Sequence, residues 1–414
     1  MDKIRRFGTG VVVAFVLSLI GGCAEKDTSV LEPDVEPPQV TDVVLEGGRV
    51  LWKTDEPASC VLVYGASSGV YDHYGYNVFD GGRDHYVSLV GTDSGTYYMR
   101  VVAWDGSGNT ATTDEVVFEV TAPPTDDVLL YTMVDVGWGD CNFLEFPNGT
   151  TVMVDAGYGS SGEFPHDSDL FKFLSDRGIA WPDGIDYMVL THNHGDHYGG
   201  FLNLIPLYNE TTFIGPAQAF SSVWTSVGAM LDEFNVPRDS VSQGDSNLNK
   251  DFLAWDDEHG VEVEVLSAGA GRYYVSGSDD DRINCDSIVL KITYGHVDFL
   301  LTGDAEDFVE QRMIKTYGNE LDCDILKVGH HGNSDATSEE FLRIVTPRVG
   351  LISNSLAEND GVFDESVLKL LREYNVDYYT TDRAYPNAGR YDDVMHGNIS
   401  VVTDGESYIV FVWK

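Results

Sequence analysis

The sequence predicts two folded domains, an all-β sandwich followed by a larger α/β domain. Three observations lead to this prediction. Short runs of alternating apolar and polar residues fill residues 40–121, which is typical of strands joined by turns. Strand-like and helix-like segments alternate from residue 128 to residue 414. The chain has 414 residues, which exceeds what one hydrophobic core usually organises. The segment 122–127 is the predicted linker.

Residues 1–22 have the pattern of a secretory signal peptide. Basic residues near the start precede the uncharged run 8–22, which is short of the roughly 20 apolar residues that a membrane-spanning helix needs. The run ends in Leu-Ile-Gly-Gly-Cys, which resembles a bacterial lipobox and implies lipidation of Cys23. Residues 23–39 are rich in acid and proline and are predicted to be a solvated tether. We therefore expect an extracytoplasmic protein anchored to membrane lipid in the bacterial cell envelope.

The chain is strongly acidic, with 25 Lys and Arg against 68 Asp and Glu and a net charge of −43. Such a field repels phosphate backbones at long range. We therefore expect no stable complex with nucleic acid, and less repulsion for a small phosphodiester than for a long polyanion. Near the site, Lys327, Arg383 and Arg390 are expected to soften this repulsion.

Four cysteines remain beyond Cys23, and their spacing forms no zinc-ribbon pair. They are Cys60, Cys141, Cys285 and Cys323. The sequence leaves two alternatives open: buried free thiols, or one disulfide among the last three in an oxidising compartment.

Residues 40–121 resemble a fibronectin type III module. Seven or so short strands over about 80 residues indicate a β-sandwich, and two motifs carry the resemblance: W-x-T-D-E-P-A at 52–58 and G-T-Y-Y-x-x-V-x-A-x-D-x-x-G-N at 95–109. Such a fold does not identify a ligand, so a cell-surface or polysaccharide partner of the module stays open. His73 and His85 are expected on its surface.

The second domain is predicted element by element. Strands are expected at 128–146, 150–159, 186–196, 261–266, 287–294, 297–302 and 323–332, helices at 169–177, 305–317 and 337–345, and a hairpin at 398–413. Thr337 or Ser338 is expected to cap the helix 337–345, with Glu340 placed for a capping box. Asp404 and Gly405 are expected at the hairpin turn.

The stretch 191–200 reads THNHGDHYGG and concentrates metal-ligand residues. His192, His194, Asp196 and His197 follow directly after the apolar strand 187–190. Side chains two apart on an extended segment face the same side, and the following loop can fold the later ones toward them. Imidazole and carboxylate ligands suit Zn²⁺.

Three other predicted strands also end in polar residues. Asp155 follows one strand, Asp304 follows another, and His330 and His331 follow a third. Each of these positions is weak evidence for a metal site when taken alone, because an aspartate after a strand is usually a turn residue. Together with the histidine cluster they predict convergence on one edge of a sheet.

At this point the chain resembles the metallo-β-lactamase superfamily, whose signature H-x-H-x-D-H is met at 192–197. The segments 135–157, 286–304 and 326–338 further resemble the soluble hydrolase domain of the ComEC/Rec2 competence proteins. The resemblance implies an αββα sandwich over 128–414. The many membrane helices of full competence proteins do not appear in the sequence, so DNA import is not implied.

The resemblance also implies a site of two Zn²⁺ ions, with a single ion or Mn²⁺ as alternatives. Its metal ligands would be His192, His194, Asp196, His197, Asp304 and His330. Asp304 would bridge the ions, Asp155 would orient a ligand histidine, and His331 would lie near the leaving group. The reverse order of His330 and His331 stays open. Asn284, Cys285 and Asp286 stand where many superfamily members have a further histidine.

The expected function is that of a metal-dependent hydrolase using a metal-bound hydroxide, acting on phosphodiesters as a nuclease or phosphodiesterase does. Asp196 and Asp304 would accept the proton, and His331 would donate one to the leaving group. A first alternative is hydrolysis of a β-lactam or lactone. A second is a cell-surface binding protein with a degenerate catalytic fold.

Overall fold

The computed structural model describes residues 34–46, 48–77, 82–89, 92–121, 127–158, 169–216, 225–241, 251–273, 278–354, 364–381 and 397–413. Cys23, the signal segment, Arg383 and Arg390 lie outside the described residues. Residues Glu36–Lys414 group into one compact unit, distinct from Met1–Val35.

Among the described residues, the chain before residue 169 forms strands, and strands alternate with helices after it. The strands are β1 (Val40–Glu46), β2 (Arg49–Thr54), β3 (Ser59–Gly65), β4 (His73–Asn77), β5 (Asp84–Ser88), β6 (Gly95–Trp104), β7 (Thr110–Thr112), β8 (Val116–Val120), β9 (Leu129–Met133), β10 (Asn142–Glu145), β11 (Thr151–Val154), β12 (Tyr187–Val189), β13 (Thr212–Pro216), β14 (Arg238–Val241), β15 (Asp251–Phe252), β16 (Val261–Ser267), β17 (Val289–Tyr294), β18 (Val297–Leu301), β19 (Ile325–Lys327), β20 (Val349–Ile352), β21 (Asp377–Thr380), β22 (Asn398–Thr403) and β23 (Ser407–Trp413).

The α-helices are α1 (Asp169–Asp176), α2 (Gly195–Tyr198), α3 (Phe201–Leu204), α4 (Thr225–Phe234), α5 (Asp279–Asn284), α6 (Asp307–Tyr317), α7 (Glu339–Val345) and α8 (Glu365–Glu373). The predicted helices 169–177, 305–317 and 337–345 are present within two residues of their expected bounds. The predicted run 128–146 forms two strands, β9 and β10, and the strands expected at 186–196 and 323–332 are shorter, as β12 and β19. The predicted hairpin is formed by β22 and β23, with Gly405 at a positive φ of 82° in its turn.

Two large sheets make up most of the described structure. One runs β14-β13-β12-β11-β10-β9-β22-β23-β4-β3-β6-β7, with β8 also paired to β6, and the other runs β15-β16-β17-β18-β19-β20-β21. The strands β1, β2 and β5 form a smaller sheet. The N-terminal strands continue the first large sheet, because β4 pairs antiparallel with β23. The fibronectin type III assignment and the boundary at 122–127 stay predictions.

The two large sheets pack face to face with helices outside them. On β11, Val152 and Val154 enter the core between the sheets, whereas Met153 points to the outer cluster with helix α1. On β17, Leu290 enters the shared core and Val289 joins the outer cluster with α6, α7 and α8. This alternation is the period-two pattern of strands buried on both faces. Two sheets thus lie between two outer layers of helices, which confirms the predicted α/β sandwich.

The two histidines of the N-terminal strands both stack on aromatic rings. His85 is buried, stacks on Trp52 with ring centroids 5.6 Å apart, and its Nε2 lies 3.0 Å from Oγ1 of Thr54. The ring of His73 stacks on Phe411 at 5.4 Å, across the β4–β23 pair. The prediction of surface positions is therefore wrong for His85, because the aromatic surface of Trp52 covers its ring.

All four described cysteines are buried free thiols. Burial raises the pKa of the Cys60 thiol to about 11 and that of Cys285 to about 12. Of the two alternatives left open by the sequence, the structure has the free thiols. None of the described helices combines the length and the apolar character needed to cross a bilayer.

Helix α7 has Ser338 as its N-cap, one of the two caps that were expected. The Ser338 side chain accepts the N–H of Phe341, but the capping box with Glu340 is not formed. Glu310 of α6 takes over instead, because its carboxylate accepts the backbone N–H groups of Thr337 and Ser338. This carboxylate is buried, and burial raises its pKa to about 7.

We expect Glu310→Gln to change how stability depends on pH. Folding raises the pKa of this carboxyl group from 4.5 to about 7, so the folded state binds its proton more tightly. Ionisation of Glu310 therefore lowers the free energy of unfolding as the pH rises through this window. The glutamine variant lacks this loss, so its stability relative to wild type should improve by about 2 kcal/mol from pH 5 to pH 8.

Urea unfolding of both proteins across that range measures the difference. Glu340→Gln is the matched control, because Glu340 is exposed on the neighbouring helix. A constant difference between Glu310→Gln and wild type at all pH values would show that Glu310 does not titrate in this way.

Candidate metal centre

The site lies where strands of both large sheets end. Strands β11 and β12 are parallel, as are β18 and β19, so their carboxyl ends point to a common rim. Asp155 directly follows β11, His192 follows β12, and Asp304 follows β18. His330 and His331 come shortly after β19. Ligand sites in α/β sheets commonly form at such carboxyl ends, and the predicted convergence is observed.

Asp155 organises the loop that carries the histidine cluster. One oxygen of its carboxylate accepts the backbone N–H of Thr191 at 2.8 Å, and the other accepts the Thr191 hydroxyl at 2.7 Å. The second oxygen also lies 2.8 Å from Nδ1 of His197. Asp155 thus ties the end of β12 to α2 and fixes the His197 ring, which is the orienting role that the sequence resemblance implies.

Glycines allow the surrounding backbones to approach this loop. Gly200 follows α2, and a Cβ there would lie 2.0 Å from the carbonyl oxygen of Ala156. Gly139 has a φ of 101°, and its Cβ would lie 1.9 Å from the carbonyl oxygen of Asp196. Any side chain at either position would therefore push the loop away from its neighbours.

The Oδ2 atom of Asp304 is the centre of the cluster. It lies near ring nitrogens of four histidines, at 3.1 Å from His197, 3.4 Å from His331, 3.8 Å from His192 and 3.9 Å from His330. The carboxylate is buried, and its backbone N–H donates to the Ser287 hydroxyl at 3.1 Å. The predicted bridging residue therefore contacts both halves of the predicted ligand set.

His331, rather than His330, faces the second half of the site. Its Nε2 lies 3.3 Å from Oδ2 of Asp196 and 3.4 Å from Oδ2 of Asp304. This nitrogen is buried without a hydrogen-bond partner among the described residues. His197 shares the cluster, because ligand atoms of Asp196, His197 and His331 all lie within 4.8 Å of one another. The geometry favours the reverse of the expected order, with His331 in the ligand position.

His330 is directed to the outer side of the site. Its Nδ1 lies 2.8 Å from the Asp335 carboxylate, and its Nε2 lies 3.4 Å from the side-chain nitrogen of Asn284. His330 and His331 both have positive φ angles, 46° and 55°. This left-handed turn sends adjacent rings in different directions, which the sequence pattern does not reveal.

Asp140 and Lys327 form a buried ion pair that the sequence analysis did not assign to the site. The Lys327 Nζ lies 2.5 Å from Asp140 Oδ2, 3.5 Å from Asp304 Oδ1, and 2.6 Å from the carbonyl oxygen of Gly303. Both side chains are almost completely inaccessible. Buried lysines are rare unless paired, and Asp140 lies in the segment 135–157 that carried the family resemblance. Lys327 is buried beneath the site and paired with Asp140, and the expectation that it softens repulsion toward substrate stays a prediction.

Asp140 also holds His331, as Asp155 holds His197. Its Oδ1 lies 3.3 Å from Nδ1 of His331, whose other acceptor is the Ser353 carbonyl oxygen at 3.2 Å. An N–H at Nδ1 of each ring leaves the lone pair of Nε2 directed into the site. Carboxylates in this position are typical partners of metal-binding histidines.

The first histidine pair is held differently. The Nε2 of His192 lies 3.1 Å from Nδ1 of His194, and its Nδ1 lies close to the Thr191 and Ser287 hydroxyls. Nε2 of His194 faces the Asp280 carboxylate from 3.8 Å.

Asn284 lies in the segment 284–286, where many members of the superfamily have a further histidine and this chain has none. Its side chain donates to Oε1 of Glu306 at 2.9 Å. Cys285 instead packs into the outer core, and Asp286 accepts the backbone N–H of Gly271. The side-chain nitrogen of Asn284 also lies 3.4 Å from Nε2 of His330.

The donor set fits divalent metal ions. With N–H at its Nδ1, His197 directs the lone pair of Nε2 toward the Asp304 carboxylate 3.1 Å away, and two such atoms at this distance need a cation or a proton between them. Burial raises the pKa of Asp304, but the charges of His197 and His331, which are present when these rings are protonated and no metal is bound, and the charge of Lys327 outweigh it and hold that pKa well below its usual range. The cluster thus keeps its carboxylate ionised and attracts positive charge.

Comparisons with known proteins agree with this geometry. Residues 134–266 match the family model of the metallo-beta-lactamase superfamily, whose members bind divalent metals. The chain is 29% identical over 264 residues to ComE operon protein 3 of Bacillus subtilis, covering 61% of this chain and 31% of that protein. It is 27% identical over 241 residues to Recombination protein 2 of Haemophilus influenzae, covering 58% and 25%. The match therefore spans about a third or less of these relatives.

Among solved structures, the chain is similar to the metallo-beta-lactamase fold protein YhfI from Bacillus subtilis. The similarity has a TM-score of 0.38 and 12% sequence identity, and it covers 62% of this chain and 98% of that one.

We expect Asp140→Asn to weaken metal binding about 10- to 100-fold, the usual effect of removing a carboxylate behind a ligand histidine. The amide cannot balance Lys327 and holds His331 less firmly. Competition with a chromophoric chelator measures the affinity, and circular dichroism checks that the variant is folded. Asp183→Asn, an exposed residue with the same charge change, is the control. Equal affinities for both variants would remove Asp140 from the site.

A second prediction concerns the order of the adjacent histidines. His331→Ala should lose about one metal equivalent because its Nε2 faces Asp196 and Asp304, whereas His330→Ala should retain its metal. Elemental analysis by plasma mass spectrometry after gel filtration counts the ions in each variant. Metal loss in His330→Ala alone would restore the order first expected.

Proposed function

Because the chain carries a metallo-β-lactamase domain similar to that of the competence proteins, we propose that it is a metal-dependent hydrolase of phosphodiesters. The observation that carries the proposal is the position of Asp304, whose Oδ2 lies within 3.9 Å of ring nitrogens of four histidines. A degenerate catalytic fold would have lost members of this set. Here the signature residues 192–197 and their buried partners are all present.

The ligands divide into two groups around Asp304. His192 and His194 would hold one ion, and Asp196, His197 and His331 would hold the other, with Asp304 between them. Asp155 and Asp140 would orient the second group through Nδ1 of its two histidines. Zinc suits this mixture of imidazole and carboxylate. Mn²⁺ prefers carboxylate ligands, so it would suit the group that contains both Asp196 and Asp304.

Divalent ions in this site would lower the pKa of a water molecule and neutralise charge that grows on the phosphoryl oxygens. The chain's own residues then supply orientation and proton transfer. Asp196 and Asp304 can accept the proton of the attacking water. His330, with Nδ1 held by Asp335 at 2.8 Å and its side chain 19% exposed, is placed to deliver a proton to the leaving oxygen through Nε2.

The substrate class follows from the relatives and from the charge of the chain. One relative is named Recombination protein 2, and since recombination is a process of nucleic acids, whose backbone is a phosphodiester, the name supports this substrate class. The net charge of −43 opposes long polyanions, and the charge of Lys327 is paired with that of Asp140. A small diester therefore fits better than a nucleic acid.

Hydrolysis of a β-lactam or lactone is the weaker candidate. Where many superfamily members have a further histidine, this chain has Asn284, whose side chain donates a hydrogen bond to Glu306. True β-lactamases generally use that histidine to complete the first metal site, according to the resemblance drawn from the sequence.

We also propose that the protein acts outside the cytoplasm, anchored through lipidated Cys23. The support is the lipobox-like sequence 19–23 after a basic start. Incorporation of a radiolabelled fatty acid into the wild-type chain, but not into Cys23→Ser, would test the anchor.

The activity test uses the full chain reconstituted separately with Zn²⁺ and Mn²⁺. We expect cleavage of a bis-aryl phosphodiester, with slower or no cleavage of single- and double-stranded DNA, and at least a hundredfold loss in Asp196→Ala/His197→Ala. A cephalosporin and a lactone are assayed in parallel.

The other outcomes each change the proposal. Faster cleavage of DNA than of the small ester would overturn the size argument. Turnover of the lactam or lactone alone would replace the substrate class. If the metal-bound protein cleaves none of these substrates, the result would favour a binding protein.

A further inference from the structure

A large aromatic side chain is exposed beside the metal centre. Tyr158 comes four residues after the end of β11 and is 63% exposed. A single exposed apolar residue is common on protein surfaces. Tyr158 differs from such a residue in two ways, because its backbone is held on both sides and its ring lies against the loop that carries the metal ligands.

Hydrogen bonds and close packing fix the backbone of Tyr158. Its N–H donates to the carbonyl oxygen of Trp138 at 3.0 Å. Its own carbonyl oxygen packs against the end of α2, where a Cβ on Gly199 would lie only 1.8 Å away. The N–H of the preceding residue, Gly157, donates to the carbonyl oxygen of Asp140 at 2.7 Å. The position of Tyr158 is therefore set before a ligand arrives, which reduces the ordering cost of binding.

The ring of Tyr158 borders the accessible side of the metal-ligand loop. A Cβ on Gly195 would lie 3.5 Å from Cε2 of the ring and 3.9 Å from Cδ2. Gly195 stands between His194 and Asp196, whose side chains are both partly accessible, in contrast with the buried His197. A group that contacts the open part of the Tyr158 ring would therefore lie next to the residues that a substrate can reach.

The form of this surface favours a flat group over a bulky cation. A second ring near the site, that of Trp138, is half-buried and lies against His331, with the ring centroids 5.2 Å apart. Sites for quaternary ammonium groups usually enclose the cation with several aromatic rings, whereas Tyr158 offers one open ring. A planar aromatic group needs only one such ring on which to stack.

We propose that Tyr158 stacks on a nucleobase, so that the site takes small nucleoside phosphodiesters. This inference rests on the proposed hydrolase function, because the phosphate would meet the metal ligands while the base lies on Tyr158. Stacking on an aromatic ring tolerates every base, so Tyr158 would select a nucleoside without selecting a sequence. A single nucleoside also avoids most of the repulsion that the net charge of −43 imposes on a long nucleic acid.

Titration calorimetry of the Zn²⁺-loaded full chain tests the proposal with thymidine 5′-monophosphate, methyl phosphate and phosphocholine. The first two probes carry the same phosphate charge and differ in the nucleoside. We expect thymidine 5′-monophosphate to bind about tenfold more tightly than methyl phosphate, since only its base can stack. Tyr158→Ala should remove most of this preference, and Tyr158→Phe should keep it, because the phenyl ring still stacks.

Trp181→Ala is the matched control. Trp181 is also an exposed aromatic residue, at 55%, but it precedes the amino end of β12, whereas the site lies beyond the carboxyl end of that strand. This variant should bind all three probes as the wild type does. Circular dichroism checks that each variant is folded.

Hydrolysis measured on the same samples reports separately on the hydrolase. Thymidine 5′-(4-nitrophenyl phosphate) and methyl 4-nitrophenyl phosphate share a leaving group, so a difference in KM between them comes from the nucleoside. We expect the lower KM for the nucleoside ester, and we expect Tyr158→Ala to raise it about tenfold. Nucleotide binding that depends on Tyr158 without any hydrolysis would keep the stacking site and refute the hydrolase.

Three results would overturn the stacking site. Equal losses of affinity for thymidine 5′-monophosphate and methyl phosphate in Tyr158→Ala would show that the residue only supports the loop. Tighter binding of phosphocholine than of thymidine 5′-monophosphate would replace the nucleobase with a cationic group. Hydrolysis of both esters with the same KM, or no binding of any probe, would remove Tyr158 as a contact of the substrate.

Discussion

The burial of three carboxylates at one rim is the constraint on which the site depends. Asp140, Asp155 and Asp304 are all almost completely inaccessible. Leaving ionised carboxylates uncompensated in such a place is very costly. Lys327 balances Asp140 and Asp304, and His197 and His331 take the remaining positions around them. The protein's own groups thus compensate most of the negative charge of the three carboxylates. The Nε2 atom of His331 has no hydrogen-bond partner among the described residues, and it marks where a cation would bind.

The two-sheet architecture makes this concentration of charge achievable. Parallel strands from both sheets end at the same rim, so short loops deliver each carboxylate without long unsupported connections. The loop before β10 closes over the same place, because Gly139 approaches the backbone of Asp196 and the Ser353 hydroxyl donates to the Gly139 carbonyl oxygen at 2.6 Å. Apolar side chains of both sheets meet beneath the rim and exclude water from it, which strengthens every electrostatic interaction there.

The N-terminal strands are joined to this architecture by backbone pairing and by side chains. Strand β4 extends the sheet beyond β23, the hydroxyls of Tyr76 and Tyr379 lie 2.6 Å apart, and Arg348 donates to the Cys60 carbonyl oxygen. The N-terminal strands are therefore a continuation of the first large sheet within the compact unit Glu36–Lys414.

The pattern of residues by itself predicted an α/β domain, the histidine loop and the strand-end aspartates Asp155 and Asp304, whereas the sandwich layering came from the family resemblance. These features are local, because a buried strand ending in a ligand residue leaves a readable pattern of apolar and polar positions. The tertiary structure alone showed the buried pair of Asp140 and Lys327, the different directions of the His330 and His331 rings, and the pairing of β4 with β23. Burial, ring direction in a left-handed turn and long-range strand pairing each depend on residues far apart in the chain, which only folding brings together.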